Sequence, residues 1–149
     1  MIQINFNSIR GADIKRQVRD AANFFMNELL SSRKSKNTHL EIRFIKLPKN
    51  IHGYCCIHED DYNPNNPTMF SIDISPTLTL EKIITTLAHE LVHLRQFREK
   101  QLKYRDKYTL FRGYAYSLDT PYEKEPWEKE AYKLEKSLVK KFTKVSNEK

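Results

Sequence analysis

Leu87-Ala88-His89-Glu90-Leu91-Val92-His93-Leu94-Arg95-Gln96 is the stretch on which the reading of this chain turns. Around it Leu80, Ile83, Ile84, Leu87, Leu91 and Leu94 recur at steps of three and four, which predicts a helix from about Leu80 to Lys100. Thr79 stands where an N-cap belongs, and Glu81 places an acid in the first turn, where the helix dipole favours it. Two histidines four apart on such a helix project about 40° apart. They emerge opposite the apolar stripe, beside Thr85, Thr86 and Gln96, so both imidazoles can reach one tetrahedral cation in a cleft. Glu90 is then placed beside the cation rather than on it. In an H-E-x-x-H arrangement that glutamate takes a proton from water acidified by the metal, and hydroxide attacks a polarised carbonyl.

Working outward, Ile2, Ile4 and Phe6 alternate with polar residues as a first strand would, and Ile14, Val18, Ala21, Ala22, Phe25 and Leu29 predict an amphipathic helix from Ala12 to about Leu30. Ser31 to Asn37 reads as a polar, basic linker. Leu40, Ile42 and Phe44 mark a second strand ending before Pro48, with further strands at Tyr54 to Ile57 and Met69 to Ile74 around the turn-rich segment Asp60 to Pro67. Tyr104 to Glu125 reads as irregular and rich in aromatics. Pro126 suits the first turn of a last helix to about Val145, with Ser146 to Lys149 frayed. The expected fold class is α+β: a small twisted sheet packed on an N-terminal helix, the central H-E-x-x-H helix and a C-terminal helix. At 149 residues, 1–149 suits one domain.

A catalytic zinc asks for a third protein ligand and an open position for water. No histidine follows His93, so the acids of Pro121-Tyr122-Glu123-Lys124-Glu125-Pro126-Trp127-Glu128-Lys129-Glu130-Ala131-Tyr132 are the main candidates. Glu128 and Glu130 lie on opposite flanks of the last helix's apolar stripe, so only one can face the metal. The Glu128 flank also carries Val139 and reads as the more buried, whereas Glu130 has Lys133 three residues on as a surface partner. Glu123 and Asp119 stand behind these two. Tyr114, Tyr116 and Tyr122 could supply a hydroxyl to a developing oxyanion, and Tyr122 is the candidate carried forward.

The formal charge is +7, concentrated between Arg95 and Arg112, where Arg95, Arg98, Lys100, Lys103, Arg105, Lys107 and Arg112 are interleaved with Phe97, Tyr104, Tyr108 and Phe111. Such a segment can follow a phosphate backbone while its aromatics stack on bases, or form a solvated surface. The adjacent Cys55 and Cys56 point to opposite faces of a strand and suit core thiols better than a disulfide or a metal cluster. The start of the chain reads unlike a secretory leader, and no apolar run is long enough to span a membrane, so a cytoplasmic location is expected.

The H-E-x-x-H helix, followed after an aromatic loop by Pro126-Trp127-Glu128-Lys129-Glu130-Ala131-Tyr132, resembles the gluzincin-like zincin metallopeptidases, and is most similar to the small SprT-like metallopeptidases encoded by tailed bacteriophages. The resemblance implies a minimal zincin fold in which an edge strand, Met69 to Ile74, lines the substrate cleft. It implies Zn²⁺ as cofactor, a peptide or protein as substrate, His89 and His93 as ligands and Glu90 as general base. The ligand glutamate of such zincins often stands three residues before a small residue, as Glu128 stands before Ala131, which favours Glu128 as the third ligand. The competing readings are a nucleic-acid-associated zinc protein and a zincin-like binding module without turnover.

Overall fold

The computed structural model describes residues 2–7, 11–63 and 65–148. Among them the chain is α+β, with four α-helices and two sheets. The first sheet holds β1 (Gln3–Asn7), β2 (His39–Phe44), β3 (Gly53–Ile57) and β4 (Met69–Ile74), in the order β1-β2-β4-β3. β1, β2 and β4 run parallel, and β3 runs antiparallel along β4. Parallel neighbours need a crossover rather than a tight turn, and α1 (Ala12–Leu29) lies in the connection from β1 to β2.

Period-two alternation decides which side of this sheet is buried. The register sets Ile4, Leu40, Phe70 and Ile57 in one row and Phe6, Ile42, Ile72 and Cys55 in another. These rows join Val18, Ala22 and Phe25 of α1 and Ile83, Leu87 and Leu91 of α3 (Leu80–Arg98) in the core. Central β4 is buried even at its polar positions Ser71 and Asp73. Buried polar groups need partners. Arg43 supplies them, with Nε donating to Asp73 Oδ1 at 2.6 Å and Nη2 to Ser71 Oγ at 3.4 Å.

Four expectations are corrected here. Met69–Ile74 is an interior strand, because β2 and β3 pair along its two sides; the edge strand beside α3 is β3. The Ser31–Asn37 segment contains a short helix, α2 (Ser32–Lys36), whose start is capped by Ser31 Oγ accepting the Lys34 N–H at 3.3 Å. The region after α3 is not irregular. β5 (Leu102–Tyr104), β6 (Tyr108–Phe111) and β7 (Tyr114–Ser117) form a three-stranded antiparallel sheet, followed by a 3-10 turn at Tyr122–Lys124. Arg112 and Gly113, with φ of 51° and 84°, make the two-residue turn between β6 and β7 that positive φ at both central positions permits. Finally, α4 (Pro126–Asn147) continues past Val145 through two residues of the expected frayed tail, of which Lys149 lies outside the described residues.

α3 packs against β3 and β4 and also against α1 and α4, so from Leu87 to Leu94 it is buried on every side rather than along one stripe. It ends where Lys100 adopts φ 62°, with the Lys100 N–H bonding to the Phe97 carbonyl at 3.0 Å and the Gln101 N–H to the Gln96 carbonyl at 2.8 Å. This is the left-handed helix stop usually assigned to glycine. No helix among the described residues is long and apolar enough to cross a membrane.

Candidate metal centre

Two helix starts set the phase of the site. Thr79 Oγ1 accepts the Lys82 N–H at 3.3 Å and fixes where α3 begins. Pro126 opens α4, where its missing N–H costs no helical bond. From α3 come His89 and His93, one turn apart; from the first turn of α4 comes Glu128. His89 Nε2 lies 3.0 Å from Glu128 Oε1, and His93 Nε2 lies 3.1 Å from Glu128 Oε2. Ligand atoms of the three residues all fall within 4.8 Å of one another, and this group could hold a metal ion.

Of the acids considered from the sequence, only Glu128 joins the histidines among the described residues. Glu130 accepts Gln96 Nε2 at 3.1 Å, lies 3.5 Å from Arg95 Nη2 and pairs with Arg112. Its charged partners are therefore two arginines, where the sequence suggested Lys133. Glu123 and Asp119 are exposed and outside the metal group.

The three donors open onto a cavity of about 620 Å³ that Glu90, Gly53, Tyr104, Tyr122 and Tyr132 also line. Glu90 is only 7% exposed. Burial pushes its carboxyl up from the ordinary value, against the pull of His93 and His89. For Glu128, burial also favours the neutral acid, but hydrogen bonds from His89, His93 and Tyr122 outweigh it and hold the carboxyl well below the usual range. Burial opposes charge on His89, yet Glu128 and Glu135 prevail and raise its pKa to about 9; His93 is raised likewise by Glu128. Gly53 explains how β3 comes so close. A Cβ there would lie 2.5 Å from Thr86 Cγ2 and 3.2 Å from Glu90 Cγ.

Tyr122 reaches the site, with its hydroxyl donating to Glu128 Oε1 at 2.8 Å and lying 3.1 Å from the Tyr132 hydroxyl. Tyr114 is exposed and Tyr116 packs its ring 5.6 Å from that of Trp127, so neither lines the cavity. Three residues that no motif pointed to also belong here. The Tyr132 ring lies 4.5 Å from that of His89, Glu135 Oε1 lies 3.7 Å from His89 Nδ1, and Gln96 Oε1 lies 2.8 Å from His93 Nδ1. Helical spacing carried a signal for each: Tyr132 and Glu135 stand four and seven residues after Glu128, and Gln96 three after His93.

The basic segment is partly engaged within the chain. Arg95 and Arg112 meet Glu130, and buried Arg98 donates through Nε to Thr38 Oγ1 at 3.2 Å. Lys103 lies on β5, with Arg105 and Lys107 in the turn that follows. Cys55 and Cys56 are both free, Cys55 in the core and Cys56 with its Sγ 3.1 Å from Ser71 Oγ. No protein-family model matches the chain, and no significant match is found to a curated protein or a solved structure.

Proposed function

We propose that the chain is a zinc-dependent peptidase of minimal zincin-like architecture that hydrolyses peptide bonds, with Glu90 as its general base. The observation that carries this reading is the convergence of His89, His93 and Glu128 from two helices on one point of a cavity whose wall includes Glu90. The donor chemistry fits zinc, which accepts two imidazoles and one carboxylate and keeps a fourth place for water or substrate. The second nitrogen of each imidazole faces an acceptor, Gln96 for His93 and Glu135 for His89, as metal-ligating histidines are commonly oriented. Zinc bound there would supply the Lewis acidity that polarises a scissile carbonyl and acidifies water.

The remaining steps belong to the protein. A Glu90 carboxylate oxygen accepts the proton of the attacking water and returns it to the departing amine nitrogen. Burial, which raises the affinity of Glu90 for that proton, suits it to both tasks. Tyr122, whose hydroxyl already reaches Glu128, can turn that O–H toward an oxyanion in the cavity. The test is Glu90→Gln, assayed against an unstructured fluorescent protein substrate. The variant should bind Zn²⁺ as wild type does while losing turnover; equal turnover by the variant, or by chelator-stripped wild type, would end the proposal.

A further inference from the structure

We infer that Gln96 is a positioning residue that decides which nitrogen of His93 faces the metal, an inference that rests on the metal-site reading above and deepens it. Gln96 is fully buried, three residues after His93 on α3. Its side-chain amide has three neighbours: Nε2 lies 3.1 Å from the Trp127 carbonyl oxygen and 3.1 Å from Glu130 Oε1, and Oε1 lies 2.8 Å from His93 Nδ1.

The orientation of a glutamine amide must be argued from its partners. Here they permit one choice. The Trp127 carbonyl can only accept, and the Glu130 carboxyl turns its oxygens to the donors Arg95 and Arg112, so it too accepts. The –NH₂ group has two hydrogens, one for each of these oxygens. Reversing the amide would set its oxygen against both acceptors at a fully buried position. Gln96 Oε1 therefore faces His93, and because an amide oxygen only accepts, His93 Nδ1 must carry the proton. Nε2, which donates to Glu128 in the metal-free chain, is then the nitrogen that gives up its proton and offers a lone pair when a cation binds.

The same chain of contacts sets how firmly the ring is held. Trp127 and Glu130 belong to the first turns of α4, the helix that also supplies Glu128. One amide thus ties the ring of His93 to the helix carrying the third donor, and fixes tautomer and spacing together. Acceptors of this kind on a ligand histidine are typically worth 10–100-fold in metal affinity.

The test uses the full chain and Zn²⁺ itself. In Gln96→Met, which keeps the length of the side chain and removes its acceptor and donors, Zn²⁺ affinity read by chelator competition should fall about 10–100-fold. In wild type, ¹⁵N NMR of the histidine rings should show His93 protonated at Nδ1, in the zinc-loaded protein with Nε2 bare and in the metal-free one with Nε2 free to donate to Glu128 as well; this reading stands even where Gln96→Met does not fold. An unchanged zinc affinity in folded Gln96→Met, or a wild-type His93 whose Nδ1 carries no proton, would overturn the inference. Wild type that binds no zinc would instead defeat the proposed function, while the metal-free spectrum would still decide the role of Gln96.

Discussion

Gly53→Ala tests how the edge strand is held over the metal-bearing helix. The added methyl would lie 2.5 Å from Thr86 Cγ2, 3.2 Å from Glu90 Cγ and 3.3 Å from the Asp73 carbonyl oxygen. Carbon atoms rest at about 3.5–4.0 Å, so the first contact alone must open by about 1 Å. Little can yield: β3 is bonded along β4 on its other side, and Thr86 stands on a helix packed on several sides. Overpacking of this kind costs about 1–3 kcal/mol, and in a chain of this size each kcal/mol lowers Tm by roughly 2–4 °C. Thr86→Ser deletes the offending methyl and leaves the milder contacts with Glu90 and Asp73. The double variant should therefore recover most of the loss, with a coupling on the order of 1 kcal/mol. Thermal and urea denaturation of wild type, the two single variants and the double variant, followed by far-UV circular dichroism, measures this. Gly53→Ala as stable as wild type, or losses that simply add in the double variant, would refute the reasoning.

Lys100→Gly should stabilise the protein by about 1 kcal/mol, because Lys100 holds φ 62° at the end of α3 and only glycine does so without steric cost; urea denaturation reads the gain. Asp61→Ala should cost about 1–3 kcal/mol at neutral pH, since the carboxylate accepts the N–H groups of Thr68 at 2.8 Å, Met69 at 2.9 Å and Asn63 at 3.0 Å. Burial opposes that charge, but the three bonds prevail and depress the folded pKa below its ordinary 3.8. The contribution of Asp61 is thus fully present above the unfolded value and disappears as pH falls through the folded one, so denaturation curves of wild type and variant should converge in acid. Zinc at about 100 times its Kd should raise the stability of wild type by about 2.7 kcal/mol, and differential scanning calorimetry of Glu128→Ala should show a much smaller rise.

Long, strongly patterned elements were readable from sequence. α3 was legible because its three-and-four periodicity, the Thr79 cap and Glu81 agree, and β4 because six residues of strand lie between clear turn signals. The edge position was not, since strand order is set by pairings such as β2 with β4, thirty residues apart, which leave no local trace. The second sheet escaped notice because strands of three and four residues are too short to show alternation. At the site, the spacing of His89 and His93 and the burial of the Glu128 flank pointed to the group that the fold brings together. Spacing set Gln96 and Glu135 on the faces of the site, but their roles were not legible, because a glutamine or glutamate on a helix reads as surface until the packing of α4 on α3 encloses it. Glu130 illustrates the same limit: a nearby lysine was visible in sequence, while Arg112 reaches it only through the fold of β6 and β7.

The most direct test of the metal centre is a titration of the chelator-stripped full chain with Zn²⁺, reading stoichiometry and affinity together. One ion per chain should bind in wild type and in Glu90→Gln, and binding should collapse in His89→Ala, His93→Ala and Glu128→Ala. Absent binding in wild type, or a Glu128→Ala variant that takes up zinc as tightly as the parent, would contradict the account.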